Sequence, residues 1–269
     1  WKHPKIQIRI MGLTINTDRT DEPYVKRDGQ WPRLMKTGET MNEFMEHFRK
    51  TAAFAKADIV FFVTALDMIL GEGKTRMVGV SGYAFCGAAC TFYKFGESED
   101  TPLSYDGTHL FAHEVAHTLG CVHDEDPPDT WVGPKHPGAE QCPWQDGYIM
   151  SYVLNDINHF KFSKCCVESM RYVFGLESRA CLHQKNAQYK IWRAKGLPGD
   201  SVNASRFCQI MHGWKYPETY LDPDYDRTGC KLQCIAPRPR RMLADKIFTH
   251  YAIDGSSCND GTQYGVLEW

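Results

Sequence analysis

Two histidines four residues apart, His113 and His117, a third six residues on at His123, and Glu114 beside the first are the side chains best suited to chemistry. On a helix, residues four apart share a face, so His113 and His117 can reach one ion. Glu114 is turned about 100° away from His113, beside the metal and not on it, where a carboxylate can hold a water and take its proton. Gly120 permits a backbone turn that a β-carbon resists, and the turn brings His123 back towards the pair. Three imidazoles leave a fourth position open on zinc, the pattern of a catalytic site and not of a closed structural one. The full spacing His-Glu-x-x-His-x-x-Gly-x-x-His fixes five residues, and ordinary composition yields it by chance in roughly one chain in ten thousand.

Several elements must position this segment. Asp106 or Thr108 caps a helix over 109–119, which Gly120 stops. Lys5 to Ile10 alternates apolar and polar residues as a half-buried strand does, and Ile59 to Val63 is a continuous apolar run, a strand covered on both faces. Between them, Met41, Phe44, Met45, Phe48, Ala52 and Ala55 fall at helical spacing behind a Thr40–Glu43 capping box. Val78 to Phe85 is a further strand, weakened by Gly79 and Gly82. A helix from Ser163 to Phe174 ends at Gly175. The stretch 184–205 is polar and reads as a linker. Beyond it, 206–269 has four cysteines and little periodicity, so disulfides more than a core hold it together.

The chain has 269 residues, a formal net charge of −2 and 42% hydrophobic residues, which gives no reason to expect nucleic acid or an anionic membrane as partner. No apolar run approaches the roughly 20 residues of a membrane span. Eleven cysteines, from Cys86 to Cys258, argue for an oxidising, extracellular setting, and Asn203-Ala204-Ser205 is a glycosylation sequon compatible with it. The odd count leaves one thiol free, paired outside the chain, or parted from a partner by truncation. Cys121, inside the histidine motif, reads as half of a disulfide and not as a ligand.

The extended motif resembles the metzincin zinc peptidases, and Asp124 after the third histidine is similar to their reprolysin, or adamalysin, branch. Asp146 to Tyr152 resembles the family's methionine turn, with Met150 beneath the metal. Gly79 to Ala84 looks like the family's edge strand, which implies that Val80, Gly82, Tyr83 and Ala84 bind substrate as an added antiparallel strand. The tail, with Cys230 to Cys234 and Asp254 to Cys258, is similar to the cysteine-rich domain of arthropod salivary and venom reprolysins, those of ticks especially.

That resemblance implies an α/β (α+β) catalytic domain over 1–183, with a mixed sheet and an active-site helix, and a small disulfide-rich domain over 206–269. It implies disulfides Cys90–Cys181 and Cys142–Cys165, with Asp124 as structural support. It also implies a strand and a long helix ahead of Lys5, and further cysteines after Cys258. Truncation at that end would account for the odd thiol. The function implied is a secreted zinc endopeptidase, monomeric, that cuts extracellular or blood proteins with Glu114 as general base. Zinc is the cofactor; nothing in the sequence supports calcium. The rival class is a catalytically silent secreted binding protein that acts through its cysteine-rich tail. Chelator-sensitive peptide cleavage separates the two.

Overall fold

The computed structural model describes residues 6–71, 73–153, 157–185, 196–227, 229–238 and 244–258. The chain forms two compact units, one of Trp1–Glu99 with Thr108–Ile191, the other of Asp100–Gly107 with Trp192–Trp269. The first carries two three-stranded mixed sheets. β1 (Leu34–Lys36) runs parallel to β3 (Asp67–Leu70), which pairs antiparallel with β4 (Met77–Val80). β2 (Val60–Thr64) runs parallel to β6 (Phe95–Glu99), which pairs antiparallel with β5 (Gly82–Ala84). Around them lie α1 (Thr37–Phe48), the one-turn α2 (Ala52–Ala55), α3 (Gly107–Thr118) and α4 (Lys164–Phe174).

Two cores hold these layers together. Met41, Phe44 and Met45 of α1 pack with Tyr24, Phe62 and Phe95 in one. Val115, Ala116 and Leu119 of α3 pack with Ile149, Met150, Cys166 and Met170 in the other. Phe61 of β2 meets Phe111 of α3 edge to face at 4.7 Å, so the sheet and the histidine helix share a packed seam.

Several expectations are corrected here. Ile8 and Ile10 are exposed and residues 6–10 form no strand, because no strand among the described residues lies beside them to reward the alternation; Lys5 lies outside the described residues. The helix read from Met41 to Ala55 is broken after Phe48. It begins at Thr37, and the Thr40 hydroxyl accepts the Lys26 N–H at 2.9 Å and so cannot act as a cap. Val63 of β2 is exposed while Phe61 on the same face packs against Phe111, so the run is not covered on both faces along its whole length. The strand expected over Val78 to Phe85 is divided at Ser81 between β4 and β5, which belong to different sheets. α3 starts at Gly107, which puts Thr108 inside the helix; the Gly107 N–H donates to Asp100 Oδ1 at 3.2 Å, not to Asp106.

The second unit is built on α5 (Pro198–Ser201), α6 (Ala204–His212) and an antiparallel sheet of β7 (Tyr220–Leu221), β8 (Lys231–Ala236) and β9 (Lys246–Tyr251). α5 and the buried Val202 fall in the stretch read as linker, of which residues 186–195 lie outside the described part. Disulfides Cys208–Cys234 and Cys230–Cys258 staple this unit. All four tail cysteines are thus paired with one another, so the odd thiol does not lie in the tail. The unpaired residue is Cys86, in the other unit. There the bridges are Cys90–Cys181, Cys142–Cys165 and Cys121–Cys166. Burial pushes the Cys86 thiol far above its ordinary value, a setting in which it is a poor nucleophile.

Candidate metal centre

α3 brings His113 and His117 onto one face, and the chain then turns at Gly120, whose φ of +105° belongs to glycine. A β-carbon there would collide with Val173 of α4. His136 clamps the turn from outside by donating from Nε2 to the Gly120 carbonyl at 2.7 Å. The returning strand of chain delivers His123. Its Nε2 lies 3.3 Å from His113 Nε2 and 3.2 Å from His117 Nε2. Two nitrogens bound at about 2.05 Å to one tetrahedral zinc stand about 3.3 Å apart, so the spacing is that of ligands around a common point.

The tautomers agree. His113 Nδ1 sits 2.6 Å from the Ile149 carbonyl and His117 Nδ1 sits 2.7 Å from the Cys121 carbonyl. A carbonyl only accepts, so each Nδ1 carries the proton and each Nε2 keeps its lone pair free for a metal. The third ring is turned by Asp126, whose Oδ2 is 3.5 Å from His123 Nδ1. Burial, with the neighbouring imidazoles second or third in weight, lowers His113 to about 4 and His117 to about 3. Burial also lowers His123. His113 and His117 are therefore neutral across ordinary pH, as zinc ligands must be.

Glu114 is buried beside the triad, and burial pushes its carboxyl up to about 8. Gly82 of β5 makes room for it: a β-carbon at Gly82 would overlap the Glu114 carboxylate. β5 has β6 on one side and no strand on the other among the described residues, so its outer edge runs past Glu114 with unpaired backbone groups. Gly82, Tyr83 and Ala84 share that edge. Val80 does not, since it pairs with Met68 in the other sheet.

Met150 is completely buried under α3, and its backbone does the tying. The Met150 carbonyl accepts from Asp124 N at 3.1 Å, while the preceding carbonyl holds His113. Asp124 is buried; its Oδ1 accepts from Ser163 Oγ at 2.6 Å, which fastens the loop after His123 to the start of α4. His109 stacks on His159 at 3.7 Å between ring centroids and does not join the triad's ligand group. Asn203 is exposed, with its Oδ1 capping α6 through the Arg206 N–H at 2.9 Å.

With this arrangement in view, the chain's likenesses to known proteins bear on its class. Residues 2–124 match the reprolysin-like metallo-peptidases of family M12B. The zinc-motif segment is reprolysin-like. An "A disintegrin and metalloproteinase with thrombospondin motifs like" protein of Bombyx mori is 31% identical over 98% of this chain and 38% of that protein. A venom metalloproteinase, antarease-like TserMP_B, of Tityus serrulatus is 27% identical over 67% of this chain and 79% of that protein. Venom metalloproteinase BumaMPs1 of Olivierus martensii is 31% identical over 60% of this chain and 39% of that protein. The arthropods are thus an insect and scorpions, not the ticks that the tail suggested. The chain spans 38% of the length of the Bombyx relative. The mixed sheets and the histidine helix fit a metzincin-like catalytic unit, and the reprolysin-like family implies zinc for a triad of this geometry. No helix among the described residues is long and apolar enough to cross a membrane.

Sequence reasoning missed four participants. Tyr152 places its hydroxyl 3.1 Å from His123 Nε2, on the metal side of that ring. Asp126 and the Ile149 carbonyl orient ligands, and an acidic residue three positions after His123 was a signal that could have been read. Glu97 on β6 is fully buried with no partner for either oxygen among the described residues; burial first and Glu114 second push it up to about 9. No spacing rule marks a neutral carboxyl inside a sheet.

Proposed function

We propose that the chain is a secreted zinc endopeptidase that hydrolyses peptide bonds of extracellular or blood proteins, with His113, His117 and His123 as ligands and Glu114 as general base. The observation that carries this reading is the pair of Nε2 separations, 3.2 and 3.3 Å, with Nδ1 protons on His113 and His117 already spent on carbonyls. Zinc, when bound, supplies a Lewis acid that polarises the scissile carbonyl and acidifies water. The protein's part is to place and move protons. Glu114 takes a proton from the attacking water and hands it to the amine nitrogen that leaves, a role worth typically 10²–10⁴-fold. The outer edge of β5 at Gly82, Tyr83 and Ala84 receives the substrate backbone as an antiparallel strand, which sets the scissile bond against Glu114. Five disulfides and the exposed sequon at Asn203 support an extracellular, glycosylated protein.

The test is cleavage of denatured casein with and without a zinc chelator, alongside Glu114→Gln. Chelator-sensitive cleavage should fall by about 10²-fold or more in the variant while bound zinc stays stoichiometric. Cleavage by Glu114→Gln at the parent rate removes Glu114 from the mechanism. Absence of cleavage by the zinc-loaded parent removes the peptidase reading.

A further inference from the structure

Where β5 ends, the chain enters a cluster of aromatic rings that the metal centre does not use. Phe85 follows Ala84 directly. Its ring stands 5.3 Å from Tyr93, Tyr93 stands 5.1 Å from Phe92, and Trp131 meets Tyr93 edge to face at 5.8 Å. Three of the four rings are open to solvent although they touch one another: Phe92 is 50% exposed, Tyr93 39% and Trp131 54%. Aromatic surface of this extent is ordinarily covered, and contiguous exposed patches mark binding sites.

The cluster is anchored to both walls of the metal site. Phe85 continues the β5 edge. Trp131 belongs to the loop that leaves the triad, where its N–H donates to Asp129 Oδ1 at 2.9 Å and the Asp129 N–H in turn donates to His136, which holds the Gly120 turn. These bonds fix the loop carrying Trp131. The rings therefore form a shelf between the end of β5 and the loop that leaves the triad, and they are not a mobile flap.

Direction along the edge identifies what lies there. Glu114 fills the space beside Gly82, so a bond under attack lies opposite Gly82. β5 then runs through Tyr83 and Ala84 to Phe85, about 10 Å at roughly 3.3 Å per residue. A peptide added antiparallel to β5 meets Phe85 with a residue nearer its own N-terminus, about three before the bond that breaks. We propose that Phe85, Phe92, Tyr93 and Trp131 form a subsite for a large aromatic or aliphatic side chain about three residues before the scissile bond, and so make the peptidase selective on that side. This rests on the peptidase reading above. The occupant follows from continuity with the β5 edge: an extended peptide lying there runs directly onto the shelf. The Arg49 guanidinium stands 5.0 Å over the Phe92 ring, and ring-on-ring contact with the exposed aromatic surface that is left is worth more than area alone.

The test uses the zinc-loaded chain and quenched fluorescent peptides that differ only in Phe or Gly at each of the four positions before, and the four after, a fixed cleavage site. The parent should favour Phe about tenfold in kcat/KM at the third or fourth position before the bond. Trp131→Ala and, separately, Phe92→Ala should pull that ratio towards one. A parent ratio of one there, a preference confined to positions after the bond, or a ratio unchanged in both variants each overturns the proposal. Binding of the same Phe and Gly peptides to Glu114→Gln, read by fluorescence anisotropy, separates the two readings. If no peptide is cut, the peptidase reading fails, yet tighter binding of the Phe peptide that Trp131→Ala abolishes still upholds the shelf. Equal binding of both peptides overturns it.

Discussion

Among the described residues three groups place three metal-binding atoms within 4.8 Å of one another, and in one of them, Asp58 with Cys90 and Cys181, both sulfurs are spent on a disulfide. The other two are His113, His117 and His123 in the first unit, and His212, Cys234 and His250 in the second. By residue type the second is the richer set. By geometry only the first is a metal centre. His212 and His250 face each other at 2.8 Å between Nε2 atoms, a hydrogen-bond distance and shorter than the roughly 3.3 Å that two ligands of one zinc require. Their third member, Cys234, is consumed in a disulfide with Cys208. In the triad the opposite holds, because backbone carbonyls hold the outer nitrogens of two of its rings and leave the inner ones without a protein proton to accept. The difference lies in what surrounds the rings, not in the rings.

The sharpest way to break this comparison is to delete one histidine from each group. His117→Ala should leave only trace zinc after gel filtration and lose chelator-sensitive cleavage, a larger loss than the roughly 10–100-fold that outer-sphere changes cost. His250→Ala should keep stoichiometric zinc. Equal zinc loss in both variants, measured by atomic emission, would mean that the second cluster also binds metal.

The next effect in size concerns orientation. Asp126 meets the outer nitrogen of His123 at 3.5 Å, and it is about half exposed. Asp126→Asn should weaken zinc about 10-fold, at the lower end of the outer-sphere range because solvent shares the contact. Affinity is read by competition with a chromogenic chelator. An unchanged constant would show that the loop between Gly120 and Asp124 positions His123 unaided.

Much of the first group was legible in the sequence. The histidine spacing, the glycine turn and the glutamate follow from helix geometry, which is local. Met150 and Asp124 were legible as residues, but what they touch was not, since the Met150 carbonyl and Ser163 hydroxyl arrive from distant parts of the chain. Local patterning failed where partners decide the outcome. Ile6, Ile8 and Ile10 alternate like a strand and have no strand to pair with among the described residues, while Thr40 looks like a cap and gives its hydroxyl to Lys26. Cys86 is the clearest case. Parity announced an odd thiol, but only the pairing of the other ten cysteines shows which one it is.

Acid should separate the two units by a smaller margin. Burial first and His212 second lower His250 from 6.5 to about 4, and burial lowers His212. Both act in the same direction. Below 6.5 the unfolded chain takes up protons that the folded His212–His250 pair does not, so the pair's contribution to the second unit's stability, fully present above 6.5, is lost as pH falls towards 4. Its thermal midpoint should drop between pH 7 and pH 4.5, and His250→Phe should flatten that part of the profile. A parent profile as flat as the variant's would remove the pair as its cause.

The smallest effect compares two helix caps of the same kind. Asn203 caps α6 from an exposed position, so Asn203→Ala should cost about 1 kcal/mol. Ser163 caps α4 by accepting the Cys166 N–H at 3.2 Å, but its hydroxyl also donates to the buried Asp124. The other Asp124 oxygen already has no partner among the described residues. Ser163→Ala therefore strands a whole buried carboxyl in addition to one amide, and should exceed the Asn203 loss by about 1–3 kcal/mol in urea unfolding with disulfides intact. The burden falls on the loop that carries His123, so the variant should also bind zinc more weakly, whereas Asn203→Ala should not. Equal costs would mean that Asp124 finds water when Ser163 is cut away, and that the backbone bonds to the Met150 and Ala139 carbonyls suffice to hold the loop after the third histidine.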